Sequence, residues 1–254
     1  MDTDHTARVN AHTRTAFVKL ADHVDEAEVA RFGPLTALSA GIPMPLYNQI
    51  LTFEAPARDD LEAAVSWMAK RDVPFWVTVP DPLLEDVGEH AVELGLAKVE
   101  VVQPMMILTS LGEIPPNETV ADISEVTDAD ILDEVVDITA TVFGIPPEFV
   151  RQMTTSSMLN DEEVRMFVGR VDGVPVACGR LIKTDDVAGV FDIAVDEEFR
   201  RQGIGEAITW AVLRAGRDAG CQIGALESTE MGYPLYQRMG FETVVDYHRF
   251  EPVT

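Results

Sequence analysis

Residues 191–208 constrain the fold more than any other stretch of this chain. An apolar strand, Phe191 to Val195, leaves through an acidic turn into a basic loop carrying Gly203 and Gly205. The helix that follows has Ile204, Ile208, Val212 and Ala215 on one stripe. A strand, a glycine-containing turn and a helix N-terminus together make a ready anion site. The first N–H groups of the helix lack internal partners, its dipole favours negative charge, and glycines let a phosphate approach the main chain.

The surrounding composition makes that loop conspicuous. The 254 residues hold 44 Asp+Glu against 19 Lys+Arg, a formal net charge of -25 spread over both halves. Such a surface repels a duplex, which excludes nucleic-acid binding by phosphate neutralisation. Arg200-Arg201 is one of the few adjacent basic pairs, and it stands beside two glycines at a helix start. With 46% hydrophobic residues the chain is too apolar for an acidic disordered segment and has ample material for a core. Its cations are mostly Arg, with Lys only at positions 19, 70, 98 and 183. A carboxylate-rich, Lys-poor surface of this kind is expected of a halophilic protein, where ions screen the self-repulsion. Cys178 and Cys221 lie in apolar strand-like runs and read as core residues in a reducing compartment. The N-terminus has no basic and apolar leader pattern, and no run reaches the length of a membrane helix, so the expected location is cytoplasmic.

Periodicity along the chain gives a helix over 6–22, a short apolar run at 35–39 and a break at Gly41–Pro45. A strand follows at 47–54, then a helix through Leu61, Val65 and Met68, a strand at 74–80, a helix near 82–94 and extended chain over 99–108. The polar, Pro-rich stretch 113–117 reads as a linker between an N-terminal α/β domain, 1–112, and a second domain, 118–254. In the second, strands are expected at 118–125, 164–171, 174–183, 188–195, 221–227 and 242–250. Helices are expected at 127–143, 146–156, 203–218 and 231–239, and Asp172-Gly173 is a tight-turn signal. The alternation implies an α/β or α+β fold, a mixed sheet with helices on both faces.

A dinucleotide fingerprint would want a third glycine near position 208, which is Ile, and a P-loop would want Gly-Lys-Ser/Thr. A plain helix start, with glycines for tight packing, remains the alternative to a binding loop. Arg200-x-x-Gly203-x-Gly205 resembles the cofactor loop of the GCN5-related N-acetyltransferase (GNAT) family. A second segment agrees with it: Glu227 through Phe241, which resembles that family's strand exit, short helix and closing Tyr-x-x-x-Gly-Phe. The resemblance covers about 117–251.

The resemblance implies an acyl-CoA N-acyltransferase fold, acetyl-CoA as cosubstrate and no metal. Two strands splay apart, and the pantetheine arm lies along the backbone of Ile193, Ala194 and Val195, where an N–H polarises the thioester carbonyl. The pyrophosphate rests on the loop of Arg200, Arg201, Gln202, Gly203, Ile204 and Gly205. Tyr236 fits the tyrosine that protonates the departing thiolate. For the amine's proton the candidates are Asp192, which interrupts an apolar strand, and Glu227; the position near Gly189, where histone-type members carry a glutamate, has none. The expected acceptor is a small-molecule or peptide amine, with no nucleic acid or membrane partner, and an oligomer is compatible with the sequence. A non-catalytic acyl-CoA-binding regulatory protein is the alternative. Residues 1–112 look like a smaller, degenerate copy of the same fold, and the Gly41–Pro45 loop is a candidate acceptor contact. The five histidines show no metal-ligand spacing.

Overall fold

The computed structural model describes residues 3–116 and 119–253, in two compact units: Met1–Met105 with Thr243–Thr254, and Met106–Glu242. The first contains α1 (Thr3–Asp22), β1 (Glu28–Phe32), β2 (Leu35–Ser39), β3 (Asn48–Leu51), α2 (Arg58–Ala69), β4 (Trp76–Pro80), α3 (Leu84–Glu93), β5 (Leu96–Lys98) and the start of β6 (Gln103–Leu108). β1, β2 and β3 pair antiparallel, and the α2 crossover makes β4 parallel to β3. Leu35, Ile50 and Val77 from the strands bury against Leu61 and Met68 of α2 and against Val87 and Ala91 of α3. α2 has no side-chain cap, but Asp59 and Asp60 in its first turn suit the positive end of its dipole.

The second unit runs β7 (Asp122–Glu125), α4 (Leu132–Phe143), α5 (Pro147–Gln152), β8 (Val164–Val171), β9 (Val174–Thr184), β10 (Val187–Val195), α6 (Ile204–Asp218), β11 (Ile223–Glu227) and α7 (Tyr233–Arg238). β7 to β10 form an antiparallel ladder, and β11 joins β10 in parallel across α6. The β8–β9 hairpin closes through Asp172 (φ 52°) and Gly173 (φ 81°), two successive left-handed residues, the twist that suits a tight hairpin. Ile204, Ile208, Val212 and Ala215 bury in one core with Val176, Leu181, Ala188 and Val190. A Cβ on Gly216 would stand 2.4 Å from that of Ala188, so glycine is what lets α6 lie directly on β10.

The last strand, β12 (Glu242–Pro252), pairs antiparallel with β4 from Tyr247↔Pro80 to Phe250↔Val77, which makes it part of the first unit. A domain running unbroken over 118–254 was expected; ladder pairing, which local sequence does not encode, gives its last segment to the other unit. The division falls at Met105/Met106, inside β6, and not at 113–117. Residues 117 and 118 lie outside the described residues, so the expected linker and the start of the strand at 118 are only partly described. The Gly41–Pro45 loop is pinned by Asn48, whose amide nitrogen reaches the carbonyls of Ile42, Met44 and Pro74 at 2.7 to 2.9 Å. Both cysteines are free and buried. Among the described residues no helix is long and apolar enough to cross a membrane.

Candidate active site

Two features of β10 set it apart from an ordinary strand. Its parallel ladder with β11 runs from Val187↔Ile223 to Gly189↔Ala225 and stops, although β10 continues to Val195 and β11 to Glu227. The strands therefore fork. On its other edge, Phe191 faces Arg180 and Ala194 faces Cys178, so three steps along β10 match two along β9. The extra residue is taken up at Asp192, whose φ of 53° lies in the left-handed region. That conformation costs a non-glycine residue about 1–2 kcal/mol, and Asp is among those that tolerate it. A bulge re-aims the backbone groups that follow it, here those of Ile193, Ala194 and Val195.

Below the bulge is a buried polar cluster. Arg180, only 5% exposed, has Nε 3.3 Å from Asp192 Oδ2, an ion pair without hydrogen-bond alignment. Its Nη2 donates to Thr154 Oγ1 at 3.0 Å and its Nη1 to the Met153 carbonyl at 3.4 Å. Cys178 Sγ lies 3.3 Å from Thr139 Oγ1 and 3.7 Å from the Asp192 carbonyl, and burial pushes its thiol up to about 12. Asp192 thus lies at the fork, with its carboxylate paired to a buried guanidinium.

Beyond Val195 the chain turns at Asp196, whose side chain accepts from the Glu198 N–H at 3.0 Å. Arg200 then folds back, Nε donating to the Val195 carbonyl at 3.1 Å, which ties the loop to the strand exit. Arg201 (φ 63°) and Gly203 (φ 78°) are both left-handed and exposed, and Gly203 caps α6 without a side-chain bond. A Cβ at Gly203 would meet nothing within 4 Å, so conformation alone demands glycine there. At Gly205 a Cβ would make ordinary contact, 3.5 Å from Leu235 Cδ2. α6 begins at this exposed loop; its ladder opens with the Ala207 N–H donating to the Gly203 carbonyl at 3.0 Å, and the N–H groups before it precede the helix's own i to i−4 bonds.

Tyr236, on α7, is 8% exposed and packs edge-on against Phe241, ring centroids 5.9 Å apart. Burial pushes its phenol up to about 12, opposed by a hydrogen bond with Thr209. Thr209 is itself fixed, donating to the Gly205 carbonyl at 2.8 Å, so the tyrosine is linked to the helix that carries the glycine loop. Glu227 ends β11, on the other arm of the fork. Sequence reasoning singled out the loop and Tyr236 but not Arg180, Thr154 or Thr209, which have partners distant in sequence. His248 lies in the first unit, Nε2 2.5 Å from Asp81 Oδ1. No cluster of metal-binding side chains occurs among the described residues.

Residues 132–241 match the family described as Acetyltransferase (GNAT). A glucosamine 6-phosphate N-acetyltransferase of Trypanosoma brucei brucei is 33% identical over 55 residues, which span 22% of this chain and 37% of that protein. A GCN5-related N-acetyltransferase from Kribbella flavida superposes with a TM-score of 0.72 at 18% identity, over 98% of this chain and 96% of its own. A tandem GNAT protein from the clavulanic acid biosynthesis pathway gives 0.64 at 13% identity, over 93% and 86%. At such identities the superpositions speak for the fold. Residues 132–241 are thus a domain of the GNAT acetyltransferase family, in a chain that carries the fold of the GCN5-related N-acetyltransferases.

Proposed function

We propose that this protein is an acetyl-CoA-dependent N-acetyltransferase that acylates the amine of a small molecule or peptide. The observation that carries this reading is the fork: β10 and β11 part after Gly189↔Ala225, and the bulge at Asp192 re-aims the backbone that lines the opening. An extended pantetheine arm fits such an opening as an added strand. At the end of β10, the Arg201–Gly205 loop and the first turn of α6 offer main-chain donors and a positive dipole to the pyrophosphate. These residues fit the cosubstrate.

The neutral amine attacks the thioester carbon, the C–N bond forms and the C–S bond breaks. A backbone N–H near Ala194 stabilises the charge that develops on the carbonyl oxygen. Tyr236 donates its proton to the departing thiolate. With Asp192 paired to Arg180, Glu227 is the carboxylate in this reading that takes the amine's proton, directly or through water. The family match and the relative named as a glucosamine 6-phosphate N-acetyltransferase support small-molecule amines as first acceptors to try. The acidic surface attracts cationic ones. Release of CoA thiol across a panel of amino sugars, polyamines, amino acids and peptides tests the proposal. Acetyl-CoA binding with no thiol release from any amine would instead make the protein a cofactor-binding regulator. The Lys-poor, acidic composition supports a salt-rich cytoplasm as its working medium.

A further inference from the structure

We propose that Arg180 is a positioning residue for acetyl transfer, its buried guanidinium locking the Asp192 bulge to the end of α5. This rests on the acetyltransferase reading above and adds to it a residue that no part of the motif contains. Arg180 sits on β9 opposite Phe191, directly before the extra residue of β10. Its three nitrogens meet three partners: Nε lies 3.3 Å from Asp192 Oδ2 as an ion pair, Nη2 donates to Thr154 Oγ1 at 3.0 Å and Nη1 to the Met153 carbonyl at 3.4 Å. Arg180 and Thr154 are buried, at 5% and 4% exposure.

A guanidinium in that position is costly unless every contact is kept, and only a planar fork can serve an acid and two oxygens on a separate element at once. What it holds is unusual. Asp192 is the one β10 residue with a positive φ, and the backbone after it is the part that faces the fork. Without the guanidinium the bulge residue loses the charge that offsets its strained conformation, and the N–H groups of 193–195 lose their fixed direction. α5 and the chain after it, which Met153 and Thr154 terminate, lose their tie to the same point. Arg180 touches neither the reacting atoms nor the pyrophosphate loop, so the larger effect falls on turnover, with a smaller one on cofactor affinity through the loosened 193–195 backbone.

The test compares the full-length wild type with Arg180→Lys, Arg180→Met and the charge-neutral double variant Arg180→Met/Asp192→Asn, the last included because it leaves no unpaired carboxylate. Three quantities are read for each: kcat per folded molecule, Kd for CoA by calorimetry, and hydrogen exchange of the amides at 191–195. The expected result for the double variant is a kcat loss of about tenfold to a hundredfold, the scale of a misplaced reacting group, and a smaller loss of CoA affinity. Exchange at 191–195 rises in step, and Arg180→Lys, which keeps the charge but not the fork, falls between. A folded double variant that retains wild-type kcat and wild-type exchange overturns the proposal while leaving the acetyltransferase reading intact. A wild-type protein that binds no CoA overturns that reading, and the positioning role with it.

Discussion

Tyr236→Phe isolates one proton. The ring stays against Phe241 at 5.9 Å, and Thr209 keeps its bond to the Gly205 carbonyl at 2.8 Å, so the variant removes a hydroxyl from an otherwise intact corner. A phenol pushed to about 12 stays protonated across the whole range in which the enzyme can be assayed. Donating to a thiolate of ordinary pKa near 8.5 would then be uphill by about 5 kcal/mol, at 1.36 kcal/mol per unit. The same unit shows what burial does to a sulfur: Cys178 is pushed from 9.0 to about 12. A CoA thiolate expelled into a fork that excludes water would rise toward Tyr236 in the same direction, which lowers that cost. Losing a general acid of this kind costs about 10²–10⁴-fold in rate, or roughly 3–5 kcal/mol. The assay is kcat and kcat/KM between pH 6 and 10.5, with the Kd for acetyl-CoA measured in parallel. The expected loss is the same at every pH, with an unchanged profile and an unchanged Kd. Stability supplies a control. Because the folded pKa is raised, Tyr236 contributes fully below pH 10 and its contribution is lost as the pH rises to about 12, an alkaline loss of about 3 kcal/mol that the Phe variant lacks. A variant with wild-type kcat throughout, or a wild type whose activity fails with an apparent pKa near 10, would refute the assignment.

Gly203→Ala, at a φ of 78° with open space around it, is expected to cost about 1–2 kcal/mol in melting stability and to weaken CoA binding, whereas Gly205→Ala leaves the melting stability nearly unchanged. Burial lowers His12 to about 4, so its neutral form supports the fold above pH 6.5 and that support is lost as the pH falls through 4. Chemical denaturation at pH 7 and pH 4 should show about 3 kcal/mol less acid sensitivity in His12→Gln. Calorimetry with acetyl-CoA should give one site per chain, and two sites would contradict the reading of the first unit given below. Thermal melts should rise steeply between low and molar KCl; a flat response would remove the halophilic expectation.

The parts of the fold legible in the sequence are those whose cause is local. Asp172-Gly173 announced its hairpin because only a few residue pairs accept two left-handed positions in succession. Gly203 and Tyr236 were legible because a helix start and a short motif fix them within a few residues. β1 was not assigned: three of its five residues are exposed and none is fully buried, so it has no buried stripe to declare itself. α4 begins at Leu132 and not 127 because Ala129–Ile131 winds as a tighter turn capped by Asp128. β12 was recognised as a strand, but its partner is β4, more than 160 residues earlier in the chain, and nothing near Glu242 encodes that choice. Asp192 drew attention as a carboxylate in an apolar strand, yet its partner Arg180 and its bulge depend on the β9 register, which appears only when the ladder forms.

The two units pose the same topological element twice, and the differences say what makes one of them a site. In each, a strand passes through a loop and a helix into a parallel neighbour: β3, α2 and β4 in the first, β10, α6 and β11 in the second. In the first, the pair runs without a fork from Gln49↔Trp76 to Leu51↔Thr78. Thr52 then closes it further, its N–H and its hydroxyl both donating to the Thr78 carbonyl at 3.1 and 2.6 Å. The Thr78 hydroxyl in turn donates to Gln49 Oε1 at 2.7 Å, a buried bond across the two strands. No residue of β3 is left-handed, the loop into α2 carries Pro56 and Ala57 in place of glycines, and Asp59 and Asp60 occupy the helix start that a pyrophosphate would need. Each change works against an anionic, strand-like ligand: the backbone donors are spent between the strands, and the positive end of the helix is already answered by carboxylates. The bulge at Asp192, the break after Gly189 and the left-handed Gly203 are therefore found in only one of these two strand–helix–strand elements. In the proposed reading they open the second unit to the cosubstrate, and the buried Arg180 contact holds the most strained of them in place.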